Sequence, residues 1–240
     1  MPRDNSGKGV LYLVPTPVGN LKDITPRALE ILRQSAVIAC EDTRVSGRLL
    51  AHFDIKKKLI SYHDFNERRR VPQLLEIIND GGDIAVITDA GSPGLSDPAY
   101  RIIRAAIDND IVVSALPGAN ALIPALTGSG LPPDRFFFEG FLPNKSAARR
   151  KRLEQLKDLP HTLVFYESPH RIEKTVIETF DILGDRRACI AREISKVYEE
   201  FIRGNLSEIK QTLAGRKLKG EIVLMVEGLT RKKRKSNDRA

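Results

Sequence analysis

Thr88-Asp89-Ala90-Gly91-Ser92-Pro93-Gly94-Leu95-Ser96-Asp97-Pro98 is the stretch on which the fold turns. Before it runs Ile84-Ala85-Val86-Ile87, short and apolar, which reads as a buried strand. After it, Ala99-Tyr100-Arg101-Ile102-Ile103-Arg104-Ala105-Ala106-Ile107 has helical spacing. A loop with two Gly and two Pro between strand and helix can bring bare backbone close to a ligand. In open α/β sheets, ligands sit beyond the carboxyl ends of the strands, where this loop falls. The same residues also suit a plain connecting turn, and the stretch alone leaves both readings open.

Working outward, residues 10–14, 36–40, 59–62 and 111–114 read as further strands, with helical patterns between them. Asp23 or Thr25 can cap the first helix, with Pro26 in its first turn. This alternation predicts a mostly parallel sheet with helices on its faces. The pattern changes at Leu116-Pro117-Gly118-Ala119-Asn120. Strand-like runs then fall at 135–140, 162–166, 188–191, 199–203 and 221–227, with a basic amphipathic helix at 145–157. More strands per helix predict a mixed sheet. The expected organisation is two α/β domains, 9–116 and 121–228, followed by a basic, disordered tail at 229–240.

The 240 residues suit one large domain or two small ones. No apolar run is long enough to span a membrane. The polar start, residues 1–8, lacks the apolar core of a signal peptide, so a cytoplasmic location is expected. Cys40 and Cys189 lie in apolar runs and read as buried thiols. The four His lack metal-ligand spacing, and no metal site is expected. The net charge of +8 is gathered in runs such as Lys56-Lys57-Lys58, Arg68-Arg69-Arg70, Arg149-Arg150-Lys151-Arg152 and 231–235. A bias of this kind favours a nucleic-acid partner, although each run alone is more often a solvated face.

Several chemistries are disfavoured. A dinucleotide site wants Gly-x-Gly-x-x-Gly after the first strand, where this chain has Pro15-Thr16-Pro17-Val18-Gly19. No P-loop and no Gly-x-Ser-x-Gly elbow occurs. What remains is a set of strand-end loops rich in Gly, Pro, Ser, Thr and Asp, at 15–20, 41–44, 88–98 and 117–121.

Nine strings run in order from residue 14 to 228: VPTPVGNLKDIT, EDTR, YHDFNE, ITDAGSPGLSDPA, LPGANALIPALTGSGLP, FEGFLP, FYESPHR, REISKVYEE and KGEIVLMVEG. In these the chain resembles the tetrapyrrole methylase-like (class III) S-adenosylmethionine methyltransferases, and among them the branch that modifies small-subunit ribosomal RNA. The resemblance implies two α/β domains, S-adenosylmethionine in the interdomain cleft, and a homodimer. It implies methyl transfer to the ribose 2′-hydroxyl of a cytidine in the decoding region of 16S rRNA, as naked RNA or in the small ribosomal subunit. Two other readings stay open: a noncatalytic RNA-binding factor of ribosome assembly, and a methylase of a tetrapyrrole or other small molecule.

On the resemblance, Pro15, Asp89, Ala90, Gly91, Ser92, Leu95, Ala121 and Leu122 match cofactor-binding positions of the first loops. Phe165, Tyr166, Ala191, Glu221 and Ile222 match cofactor-lining positions further on. For Leu95, Leu122, Phe165 and Ala191 ordinary core packing is the competing account. A general base would help remove the 2′-hydroxyl proton. Candidates at strand ends are Glu167, Glu193 and Lys196, with His170 beside them; a desolvated Lys near cations could have a lowered pKa. An i,i+4 ion pair Glu167–Arg171 is the structural alternative. Arg44, Lys145, Arg149, Arg150, Lys151 and Arg152 are candidate RNA contacts. Tyr62, Phe65 and Tyr166 are candidate stacking aromatics, with Phe65 favoured as core.

Overall fold

The structure is a computed structural model that describes residues 7–229. The basic tail expected at 229–240 lies, beyond Leu229, outside the described residues. The chain divides into two compact units between Asn120 and Ala121.

In the first unit, strands and helices alternate: β1 (Leu11–Leu13), α1 (Pro26–Gln34), β2 (Val37–Cys40), α2 (Thr43–His52), β3 (Lys58–Ser61), α3 (Glu67–Asn79), β4 (Ile84–Ile87), α4 (Tyr100–Asp108) and β5 (Val113–Ala115). Thr25, not Asp23, caps α1: the Ala28 N–H donates to its Oγ1 at 3.0 Å, and Pro26 needs no partner at the first helical position. The sheet order is β3-β2-β4-β1-β5, and every pair is parallel. Side-chain alternation splits the core in two. Tyr12, Ile38, Ala85 and Ile87 face α1 and α2, whereas Leu11, Leu13, Ala39 and Val86 face α3 and α4. A sheet covered on both faces explains the unbroken apolar runs at 37–40 and 84–87.

This order contains a topological switch point. The connection from β1 leads through α1 to β2 on one side of β4. The connection from β4 leads through α4 to β5 on the other side of β1. β1 and β4 are neighbours whose chains leave in opposite directions, which opens a crevice beyond their carboxyl ends.

The second unit comprises α5 (Leu122–Gly128), β6 (Phe136–Phe141), α6 (Ser146–Leu156), β7 (Thr162–Glu167), α7 (Ile172–Leu183), β8 (Arg187–Arg192), β9 (Glu200–Asn205), α8 (Leu206–Leu213) and β10 (Ile222–Val226). Its sheet is mixed, ordered β6-β7-β10-β8-β9, with only β6–β7 parallel. Leu163, Phe165, Ile190, Leu224 and Val226 pack with Leu153, Val176 and Ile209 from α6, α7 and α8. Burying one such side chain contributes about 1.5–3 kcal/mol. The parallel register of β6 slips between Phe138 and Gly140, where Glu139 is extra and Gly140 has φ +73. Cys40 and Cys189 are buried free thiols, as expected.

α6 departs from its expected amphipathic pattern. Leu153 and Leu156 are buried, but so is Arg149, which is only 3% exposed. Its Nε and Nη2 donate to Glu178 of α7 at 2.6 and 3.0 Å, and its Nη1 donates to the Asn144 carbonyl at 3.1 Å. Ser146 completes the group by donating to Glu178 at 2.6 Å.

Candidate methyltransferase site

At the switch point, the four loops singled out by sequence are tied together. The N–H of Thr16 donates to the Gly91 carbonyl, and that of Gly91 to the Thr16 carbonyl, both at 2.9 Å. The buried Thr16 hydroxyl donates to Thr88 O at 3.0 Å. The Ser92 hydroxyl donates to Ala119 O at 3.2 Å, and the Asp42 N–H to Asp89 Oδ1 at 3.2 Å. Gly118 lies so close to Pro15 that an added Cβ would sit 2.7 Å from the Pro15 Cβ. Gly91 has φ +88, where L side chains are strained, so glycine is needed for the backbone path itself. Residues 15–20, 41–44, 88–98 and 117–120 thus form one stitched surface at the carboxyl ends of β1, β2, β4 and β5. Pro15 and Gly91 are buried within it; Ala90, Ser92 and Leu95 are half-buried, and Asp89 is exposed.

This end of the unit is acidic. Burial pushes the Asp97 carboxyl up to about 7, helped by the charges of Glu41, Asp89 and Asp64. Glu41 is raised by burial and then by Asp89 and Asp64. Asp89 is raised by burial and by the charge of Asp42. Asp42 goes the other way: Arg44 holds it far below the usual carboxylate range through bonds at 3.1 and 2.7 Å. Arg44 stays exposed but spends its charge on Asp42. Asp97 gives a pH prediction. Its pKa is higher folded than unfolded, so its contribution is fully present below about pH 4 and lost as pH rises through about 7. Asp97→Asn is therefore expected to raise the melting temperature of the first unit at pH 8, with the gap closing toward pH 4. Thermal melts at both pH values check this.

In the second unit, β10 runs antiparallel to both its neighbours. Its first residue, Ile222, therefore pairs with Glu167 at the end of β7 and Arg192 at the end of β8. The topology gathers Glu167, Glu193, Lys196 and Glu221 at one end of the sheet, but the local chemistry changes their roles.

Glu167 does not serve as a base. Its side chain is fully buried; Oε1 accepts from Ser168 N–H and Arg171 Nε, both at 2.7 Å, and Oε2 accepts from Thr175 at 2.7 Å. A carboxylate this well supplied with donors has no free lone pair aimed outward. Lys196 also departs from expectation. Burial favours its neutral form, but Nζ donates to Glu193 at 2.8 Å and Glu221 at 3.2 Å, and the net pKa is raised. It is held as a cation. Glu193 in turn is lowered, first by its bond from Lys196. Glu193 has φ +51 and also accepts the Glu221 N–H at 3.1 Å. Gly220 has φ +86, which favours glycine, and an added Cβ would displace the Glu193 carboxyl. His170 is exposed on the adjoining turn.

Phe165 and Ile222 belong to the helix-facing core, so packing accounts for both. Ala191 is fully buried, and Leu122 is buried on α5, with Ala121 half-buried before it. Tyr166 is half-buried, its ring edge-on to Phe138 and Phe141.

The RNA candidates divide similarly. Arg149 cannot reach a phosphate because it is enclosed with Glu178. Arg152 is clasped by Glu139 at 2.6 and 2.7 Å, and Arg150 meets Asp181 at 3.2 Å. Lys145 and Lys151 are exposed. Tyr62 cannot stack a base: it is 1% exposed, packed among Leu74 and Ile78 of α3, with its phenol pushed up to about 12 by burial and Glu67. Phe65, expected in the core, is 99% exposed. Among the described residues, no group of His, Cys, Asp and Glu is placed to hold a metal ion, and no helix is long and apolar enough to cross a membrane.

A stitched loop surface at the switch point of a parallel sheet, joined to a mixed-sheet unit, is an architecture with known counterparts. The chain resembles a cobalt precorrin-4 methyltransferase from cobalamin biosynthesis with a TM-score of 0.67 at 16% identity, covering 95% of this chain and 97% of that one. A diphthine synthase gives 0.70 at 14% identity, covering 92% and 91%. These likenesses concern the fold. The sequence profile of the Tetrapyrrole (Corrin/Porphyrin) Methylases matches residues 10–210, so the chain is a methylase of that family and uses S-adenosylmethionine.

Within it, the chain belongs to the ribosomal RNA small subunit methyltransferase I family. The relative of that name from Micromonospora olivasterospora is 47% identical over 94% of this chain and 72% of its own length. Those from Halalkalibacterium halodurans and Pseudomonas aeruginosa are 48% and 45% identical, each over 92% of this chain and over 76% and 79% of their own lengths.

Proposed function

We propose that this chain transfers the methyl group of S-adenosylmethionine to the ribose 2′-hydroxyl of a cytidine in the decoding region of 16S rRNA. The observation that carries this reading is the identity of 45–48% with ribosomal RNA small subunit methyltransferase I across nearly the whole chain. S-adenosylmethionine supplies an electrophilic methyl on a sulfonium cation. The carboxylates Glu41 and Asp89 fit a cationic ligand, and the glycine-formed path at Gly91 leaves backbone, not side chain, against it. Pro15, Asp89, Ala90, Gly91, Ser92 and Leu95 hold the cofactor in this reading; Ala121, Tyr166, Ala191 and Glu221 are the further cofactor positions that the resemblance implies.

Methyl transfer from a sulfonium asks the protein chiefly to align oxygen, carbon and sulfur. Lys196, pinned between Glu193 and Glu221, orders the loops at the end of the second sheet and acts as a positioning residue. Lys145 and Lys151 contact phosphates. Replacing either with alanine lowers the salt slope of RNA binding by about 1, measured by titration at several salt concentrations.

The direct test is incubation with methyl-labelled S-adenosylmethionine and either small subunits or naked 16S rRNA. Label at a ribose 2′-oxygen supports the reading. Label entering a porphyrinoid instead overturns it, and cofactor binding with no transfer favours a noncatalytic assembly factor. The protein acts in the cytoplasm as a homodimer in this reading. Sedimentation of the purified chain as a monomer at micromolar concentration would remove the second claim.

A further inference from the structure

The amino termini of α3 and α4 border one cavity of about 340 Å³ in the first unit. Its lining includes Asp64, Glu67, Asp97, Tyr100 and Arg101. That volume is near the lower end for small-ligand pockets, the scale of a single nucleoside. Neither helix has a side-chain cap at its first turn.

Two features of this cavity are not explained by stability. Tyr100 lines it yet is 73% exposed, and Phe65, next in the chain to the lining residue Asp64, is almost wholly exposed. A large ring left in water at a pocket, as Tyr100 is, makes a stacking platform. The wall is rich in acceptors, with the carboxyls of Asp64 and Asp97 beside the Glu67–Arg101 ion pair. Glu67 is already committed: it takes Arg101 and the Tyr62 hydroxyl. Such a wall repels a phosphate and suits a ligand that offers hydrogen-bond donors. Arg68 and Arg69, exposed on the first turn of α3, provide the positive charge outside the pocket.

We propose that this cavity receives the target nucleoside, swung out of the RNA strand. Its base stacks on Tyr100 with Phe65 at the rim, and its exocyclic amine donates to Asp97. The inference rests on the RNA methyltransferase reading and deepens it by locating the substrate subsite. An extruded base is normally held by stacking and read along its hydrogen-bonding edge. Once ionised, above about pH 7, the Asp97 carboxylate accepts from the N4 amine of cytosine but faces a second acceptor in the O4 of uracil, so the wall selects cytidine most strongly on the alkaline side.

The test uses the full chain and two readouts. In the first, Tyr100→Ala and Phe65→Ala are expected to raise KM for small subunits or 16S rRNA by about tenfold. S-adenosylmethionine affinity, measured by calorimetry, should not change. Asp97→Asn should narrow the preference for cytidine over uridine at the mapped target by roughly tenfold in kcat/KM. In the second, an RNA oligonucleotide carrying pyrrolocytidine at that position should change fluorescence on wild-type protein, and not on Tyr100→Ala, with no cofactor present. Unchanged KM together with an unchanged fluorescence response in Tyr100→Ala would overturn the subsite. If the wild type transfers no methyl to RNA, the functional reading fails, while the fluorescence arm still decides whether the cavity takes a base.

Discussion

Arg149→Ala is expected to destabilise the second unit by about 3–5 kcal/mol, because it leaves the buried Glu178 carboxylate without its cation. Arg149 donates to both Glu178 oxygens and to the Asn144 and Pro143 carbonyls, at 2.6 to 3.3 Å, so alanine removes four hydrogen bonds and leaves a hole. A domain of ordinary stability has only about 5–15 kcal/mol in total. The melting temperature of that unit should fall by roughly 10 °C or more. The same change as Arg149→Met with Glu178→Leu should recover most of the loss, since a buried ion pair costs desolvation that apolar packing avoids. Calorimetry of the three proteins checks the pair. A wild-type melting temperature in Arg149→Ala, with weakened RNA binding, would return Arg149 to the phosphate contacts.

The second large effect is on cofactor binding. Gly91→Val is expected to reduce S-adenosylmethionine affinity by about a hundredfold or more, with the fold retained. An added Cβ at Gly91 meets Val18 and Asn120 only at 3.6 and 3.9 Å, ordinary contact distances. The harm therefore comes through the backbone. At φ +88 a β-branched residue is strained, and relief would turn the Gly91 backbone away and break the two hydrogen bonds that tie it to Thr16. Loops 15–20 and 88–98 would then part. Asn, which tolerates positive φ better, should lose much less than Val. Titration calorimetry of both variants decides the matter, and full affinity in Gly91→Val would remove this loop from the site.

The fold was legible because the first sheet is buried on both faces. Runs such as Ile84-Ala85-Val86-Ile87 have no polar alternation, and Gly and Pro punctuate the ends of β1, β4 and β5. The four loops were legible for the same reason, but the bonds that sew them together through Thr16, Gly91, Ser92 and Ala119 join residues too far apart in sequence to be read from it. The side-chain roles were less legible because their deciding partners are distant in sequence. Arg149 is one of four consecutive cations, and only Glu178, from the next helix, distinguishes it from Lys151. Lys196 is a cation rather than a base because Glu193, three residues before it, and Glu221, arriving from the far side of β9 and α8, both accept from it. Tyr62 and Phe65 exchange their expected environments. Tyr62 follows β3 and turns under α3, whereas Phe65 stands in the polar turn His63-Asp64-Phe65-Asn66-Glu67. Asp97 carried a usable signal, a carboxylate in a Gly- and Pro-rich loop just before a helix lacking a side-chain cap.

The slipped register of β6 has a consequence for solubility. β6 is an outermost strand and its sequence, Phe136-Phe137-Phe138-Glu139-Gly140-Phe141, holds four phenylalanines in six residues. A flat edge of that composition is a template for self-association into cross-β aggregates. The extra residue interrupts the ladder midway, Gly140 bends the strand, and Glu139 is drawn toward Arg152 on α6. No uninterrupted run of six residues is then presented to a neighbouring molecule. The irregularity thus blunts the exposed edge of the folded sheet.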